Sequence, residues 1–237
     1  IDVSLVGSEM CIRDRYIGDA IVAFYGAPID VDNHEYWACK TAIEMQDKLA
    51  ILREGWQEEG DRWPEIVHNM QNRIGISSGQ MVTGNMGSEA RMNYTMMGDN
   101  VNTAARLESS AKQYGIYIQI ADSTYQAVKE KVVVRDLDNV RVLGKNEPVK
   151  VWELISEVGQ EPGQYKKILP AYHEALNLYK NQEWSKAIEA FKASDELEEM
   201  FGGRKTNPSR IYIPRCEHYQ ENPPGEDWDG VWTLTSK

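Results

Sequence analysis

The sequence predicts a sandwich of the α+β or α/β kind, followed by a short helical unit. Three observations carry this. Between residues 16 and 155, short runs rich in Val, Ile and Tyr alternate with segments whose apolar residues recur every three or four positions, the pattern of helices packed on a sheet. At Gly159-Gln160-Glu161-Pro162-Gly163 the composition changes to that of a linker, and helical spacing follows. A length of 237 residues, with 41% hydrophobic and 27% charged residues, suits a globular domain with an appendage.

The elements follow in order. Residues 3–15, VSLVGSEMCIRDR, lack a basic region followed by a long apolar stretch, so they do not read as a secretory signal. They resemble translated adapter read-through, and residues 1–15 read as a non-native leader ahead of a fragment. The other reading is a native short strand and turn. Gly18-Asp19 is a turn dipeptide, and residues 20–24 form a β-prone run that Gly26-Ala27-Pro28 ends. A helix fits residues 34–53, with Ala38, Ala42, Met45, Leu49 and Leu52 as its buried stripe and Asn33 as its N-cap. Residues 55–64 read as a polar loop. Strands are expected at 73–77 and 81–83, a small-residue loop at 84–88 and another strand at 93–97.

A second long helix fits residues 99–114, closed by Gly115. Residues 116–120 read as a strand, TYQAVKEK as a short helix capped by Asp122 or Ser123, and 132–135, 140–143 and 149–154 as separate strands. Past the linker, Leu169, Tyr172, Leu176 and Tyr179 form one helical stripe, and Trp184, Ala187, Ile188 and Phe191 a second. The spacing W-x2-A-I-x2-F resembles one tetratricopeptide repeat. A single repeat cannot bury a solenoid core, so this hairpin is expected to dock on something, a protein partner included. Asn207-Pro208 reads as a helix start and Pro214 as its interruption. Trp228 and Trp232 read as indoles of an extended tail packed onto the rest.

Composition excludes several functions. Acidic residues (37) outnumber basic ones (26), for a net charge of -11. That field disfavours nucleic acid and anionic membrane as partners, and no apolar run approaches the ~18–20 residues of a bilayer span. Three cysteines at long spacing suggest neither a disulfide framework nor a metal site, and point to a reducing, cytosolic compartment. The four histidines form no pair at helical spacing. A polyanionic ligand must therefore be held by local features.

Four such features stand out. Asp19 sits at a hairpin turn beside apolar strands. Gly84-Asn85-Met86-Gly87-Ser88 is a tight small-residue connection. In Gly98-Asp99-Asn100-Val101-Asn102-Thr103-Ala104-Ala105-Arg106, Asn102 and Arg106 lie four apart and share one helix face. A carboxamide beside a guanidinium suits charge developing on a phosphoryl oxygen. Lys145 follows a strand and a glycine, where it can meet phosphate as a point charge. Each has a plain reading as well: a turn Asp, a tight connection, a capping Asn beside a surface Arg, a solvated Lys.

Together, YIGDAIVAFYGAP, RIGISSGQMVTGNMGS and YTMMGDNVNTAARLE resemble the catalytic domain of class III adenylate/guanylate cyclases. KQYGIYIQIADSTYQAV and LDNVRVLGKNEPVKVWEL continue the likeness, which places this domain at 16–158, a linker at 159–164 and a helical extension at 165–237. The extension resembles that of bacterial multidomain adenylate cyclases. The resemblance implies a ferredoxin-like centre and a head-to-tail homodimer with ATP in the cleft. It also implies two divalent ions, Mg²⁺ or Mn²⁺, and conversion of ATP to cyclic AMP and pyrophosphate in intracellular signalling. It makes Asp19 a metal ligand, Asn102 the ribose-orienting amide, Arg106 the transition-state guanidinium, Thr95 a base-reading residue of the adenylate type and Lys145 a phosphate contact. The family's other metal Asp belongs to an upstream Asp-x-x-Gly-Phe strand, which residues 1–15 lack. Its base-reading Lys falls where Arg15 stands. The chain as given is therefore expected to be inactive. Guanylate cyclase activity and a non-catalytic nucleotide-binding module are the alternatives. A cytoplasmic domain of a membrane-anchored parent is implied, with membrane contact only through segments upstream.

Overall fold

The computed structural model describes residues 11–88, 91–140, 149–198, 204–225 and 227–232. It begins with an antiparallel hairpin of β1 (Cys11–Ile17) and β2 (Ala20–Tyr25). Residues 11–15, read above as leader, thus lie in β1, whereas 1–10 fall outside the described residues. Helix α1 (His34–Glu58) follows, then a 3-10 turn and the short α2 (Glu65–His68). The expected loop at 55–64 is therefore partly helical: Gly55 lies within α1, where the mild cost of one glycine does not stop propagation. Asn33 precedes α1 but makes no side-chain cap. Its Oδ1 instead accepts from Lys131 Nζ at 2.8 Å.

The main sheet has four strands in the order β3-β6-β8-β7: β3 (Ile74–Ile76), β6 (Ile118–Ala121), β8 (Val149–Glu157) and β7 (Val132–Val140). The first pair is parallel and the others antiparallel. A separate hairpin joins β4 (Val82–Ser88) to β5 (Arg91–Met97). The small-residue stretch 84–88 is thus strand, not loop. Its glycines have weak strand propensity, but β5 supplies a full ladder, with Gly84 opposite Thr95 and Gly87 opposite Met92. β7 runs on from the strand expected at 132–135 to Val140, and positions 141–143 of the strand expected at 140–143 lie outside the described residues. The register of β7 shifts between Asp136 and Asp138, and that bulge carries the chain past the apparent break.

Alternation along β6 and β8 explains the layers. Ile118, Ile120, Trp152 and Leu154 join Cys39 and Ala42 of α1 and Val128 of α4 (Asp122–Val128) in one core. Ala121 and Val151 join Leu107, Ala111 and Tyr114 of α3 (Asp99–Tyr114) in another. Helices thus cover both faces of the sheet, and the class is α+β.

The extension is larger than the expected hairpin. α5 (Tyr165–Lys180), α6 (Trp184–Leu197) and α7 (Pro208–Glu221) share one aromatic core of Tyr172, Tyr179, Phe191, Tyr212 and Tyr219. Trp228 and Trp232 pack against it, as the sequence suggested. Asn207 caps α7 by accepting from the Arg210 amide, but the helix runs through Pro214 instead of breaking there. Pro214 is exposed, and Tyr212 and Cys216 on either side of it are buried. Burial of that stripe outweighs the missing backbone donor.

The docking surface the hairpin needs is supplied within the chain. Arg135 of β7, wholly buried, pairs with Glu153 of β8 (2.6 Å) and with Glu198 just after α6. Arg215 of α7 meets Asp138 of β7 at 2.7 Å, and the same carboxylate accepts from Tyr114 of α3 at 2.7 Å.

Candidate active site

Asp19 occupies a two-residue hairpin loop. Gly18, at φ 63°, takes the left-handed conformation that such a turn demands at its first position. The Asp19 side chain is exposed. β1 lies against β5, and Phe24 approaches Tyr94 with ring centroids 6.1 Å apart, so this hairpin stands beside the strand that carries Thr95. Thr95 is buried, at 5% exposure.

β5 ends at Met97, Gly98 turns the chain, and α3 starts at Asp99. Leu107, Ala111 and Tyr114 face the sheet, whereas Asn102 and Arg106 are exposed on another side of the helix. Neither forms a hydrogen bond or ion pair among the described residues, and none of those residues links them to Asp19. The pair is an unengaged amide and guanidinium presented outward from a fixed helix.

Residues that sequence reasoning passed over do the fixing. Gly75 lies under α3, where a Cβ would overlap the Ala104 carbonyl oxygen and the Glu108 amide nitrogen. The absence of a side chain lets β3 approach the helix backbone. Asn100 accepts from Ser77 Oγ at 3.1 Å and donates to the Gln80 carbonyl at 3.3 Å, which ties the start of α3 to the β3–β4 loop. Arg73 Nε bonds Glu108 Oε1 at 3.2 Å farther along. The glycine was visible in the sequence as punctuation, but the helix crossing above it was not.

Lys145 lies outside the described residues. Among those residues, no group of three His, Cys, Asp or Glu side chains could hold a metal ion. Cys39 and Cys216 are free and buried, and burial pushes both thiols up to about 12, so neither is a nucleophile near neutral pH. No helix among the described residues is long and apolar enough to cross a membrane.

A family profile for the adenylate and guanylate cyclase catalytic domain matches residues 3–156. The chain belongs to this class III cyclase family. Among curated relatives, the cyclase chain is 32% identical over 207 residues to the terminal-differentiation specific adenylate cyclase of Dictyostelium discoideum. That match covers 86% of this chain and 9% of the relative. It is longer than the family match, so the similarity continues into the helical extension. Adenylate cyclase 1 of Rhizobium meliloti is 29% identical over 144 residues, or 61% of this chain and 21% of that protein. The cyclase chain thus spans under a quarter of the length of these two relatives. Of solved structures, the adenylyl cyclase CyaB from P. aeruginosa superposes with a TM-score of 0.53 at 28% identity, covering 65% of this chain and 75% of that one. The guanylyl cyclase Cya2 gives 0.53 at 29% identity, covering 63% and 72%.

Proposed function

We propose that this cyclase domain belongs to an ATP-specific enzyme that forms cyclic AMP and pyrophosphate at the interface of a head-to-tail homodimer. The observation that carries the reading is the outward, unengaged pair Asn102 and Arg106 on a helix held by Gly75 and Asn100. In this reading the ribose 3′-hydroxyl attacks the α-phosphorus and pyrophosphate leaves. Asn102 orients the ribose, and Arg106 neutralises charge building on the phosphoryl oxygens. Both act on nucleotide bound beside Asp19 of the partner copy. Lys145 contacts the phosphates. Thr95 meets the adenine base, and the preference for ATP over GTP rests on that residue, since CyaB and Cya2 resemble the chain equally. The exposed Val82 of β4 and Met97 of β5, paired across the hairpin two positions along from Thr95, and the exposed Met92 of β5 support pairing, because they leave apolar surface on Thr95's own hairpin. We place the parent protein at a membrane with this domain on the cytoplasmic side.

Class III cyclases generally use divalent metal ions, and Asp19 is the residue here suited to ligate Mg²⁺ or Mn²⁺. A single exposed carboxylate does not make a two-ion donor set. The 237-residue chain is therefore expected to form no cyclic nucleotide.

The test uses a chimera in which an Asp-x-x-Gly-Phe strand from a relative precedes Tyr16. The expected result is turnover of ATP and not GTP. Asp19→Ala and Arg106→Ala chimeras, each inactive alone, should recover about a quarter of the parent rate when mixed, because half the dimers are mixed and each holds one intact site. Heterodimers that stay inactive would overturn the shared-site assignment.

A further inference from the structure

A cavity of about 400 Å³ lies where α1, the residues around α2, strands β6 and β8 and the start of α5 meet. That volume falls within the range of small-ligand sites, about 300–1,000 Å³. Asp19, Thr95, Asn102 and Arg106 are not among its lining residues. Part of the wall is apolar, formed by Ile43, Ile118, Leu154, Ile155 and Pro162.

The rest is rich in donors that the fold leaves underused. Arg204, 4% exposed at its side chain, donates from Nε to the Thr206 carbonyl at 3.1 Å. Its Nη2 stands 3.2 Å from Glu198 Oε2, yet it forms no hydrogen bond among the described residues. Arg53 donates from Nη1 to the Met70 carbonyl at 3.0 Å. Tyr117 lines the same cavity as both cations: burial raises its phenol above the ordinary range, and the charges of Arg204 and then Arg53 oppose that rise. His68 Nε2 is buried and likewise has no hydrogen-bond partner among the described residues.

Two carboxylates also line the cavity. Glu153 is committed to Arg135, accepting at 2.7 Å from its Nε, and Asp47 is exposed on α1. Burying a donor without an acceptor costs roughly 1–3 kcal/mol, and more for a charged group. Glu198 already offsets the charge of Arg204 across 3.2 Å, so what the site lacks is an acceptor in line with Nη2, and a bound carboxylate supplies one.

We propose that this cavity binds a small organic carboxylate, its charged end between Arg53 and Arg204 and its apolar body along Ile43, Ile118 and Leu154. A carboxylate matches the planar fork of a guanidinium, and the mixed wall matches a ligand that is apolar apart from that group. Tyr165 opens α5 and Arg204 leads into α7, while the remaining contacts belong to α1 and the sheet. A bound acid therefore bridges the extension and the catalytic domain.

Isothermal titration of the 237-residue protein with 2-naphthoate and with its neutral analogue 2-naphthamide tests this. Saturable binding of naphthoate, at least about tenfold tighter than the amide, is expected. Arg53→Gln should weaken naphthoate about tenfold and leave the amide unchanged. Arg53 is partly exposed, so this variant is expected to fold. Arg204→Gln, checked for native circular dichroism, should do the same. Equal affinities for the two compounds, an unaltered affinity in Arg53→Gln, or no naphthoate binding at millimolar concentration would each overturn the proposal.

Discussion

Gly75 decides where Asn102 and Arg106 stand, because its α-hydrogen faces the backbone of α3. Gly75→Ala should push the helix outward and lower stability by about 1–3 kcal/mol, the usual cost of overpacking. Thermal unfolding of the two proteins measures it. His173 gives a pH effect of known sign. Burial is the main cause that depresses its pKa below 6.5, with Arg135 and Lys180 adding to it and Asp136 opposing. The unfolded chain therefore binds the proton more readily. His173's contribution is complete above the ordinary imidazole pKa of about 6.5 and is lost as pH falls toward the folded-state value. Between pH 7 and pH 5 the wild type should lose more stability in urea melts than His173→Gln, in which that component is absent. At this scale the sequence was informative wherever a residue type carries its own chemistry. Asp19 at a Gly-Asp turn, and an Asn and Arg four apart, could be named. Gly75 and Asn100 could not be assigned work, because their partners lie on elements whose packing no local pattern reveals.

Among the elements, those with strong periodicity were legible and those shaped by tertiary contact were not. α3 has the bounds expected of it, closed by Gly115. α1 runs past its expected end, β7 hides a bulge, and the glycines of β4 masked a strand. α7 is the sharpest case, since local rules break it at Pro214 and the burial of Tyr212, Cys216 and Tyr219 keeps it whole. The missing donor remains a local cost at an exposed position. Pro214→Ala should therefore raise the urea midpoint, corresponding to about 1–2 kcal/mol of added stability once the looser unfolded chain offsets part of the gain. A lower midpoint would mean that the proline ring itself packs usefully.

Across the whole molecule, the change in composition at residue 159 suggests two separable parts, yet the ion pairs join them. Burial works against the charge of Arg135, but Glu153 and Glu198 outweigh it and keep the guanidinium protonated. Removing residues 158–237 would strip Glu198 from that cation and Arg215 from Asp138. A buried pair broken on one side costs about 3–5 kcal/mol. The chain ending at Glu157 should thus aggregate or unfold without a cooperative transition, whereas the full chain should give a single calorimetric peak. The linker composition was real, but side-chain charges decide whether a seam is mechanical, and their pairing across more than sixty positions leaves no trace in local sequence.

Arg135 and Asp138 lie three residues apart on one strand and clasp two points of the extension, the end of α6 and the middle of α7. Grafting a tail from one relative onto another's catalytic half therefore succeeds only when both acid–base matches travel together, so these two segments are bound to diverge in step.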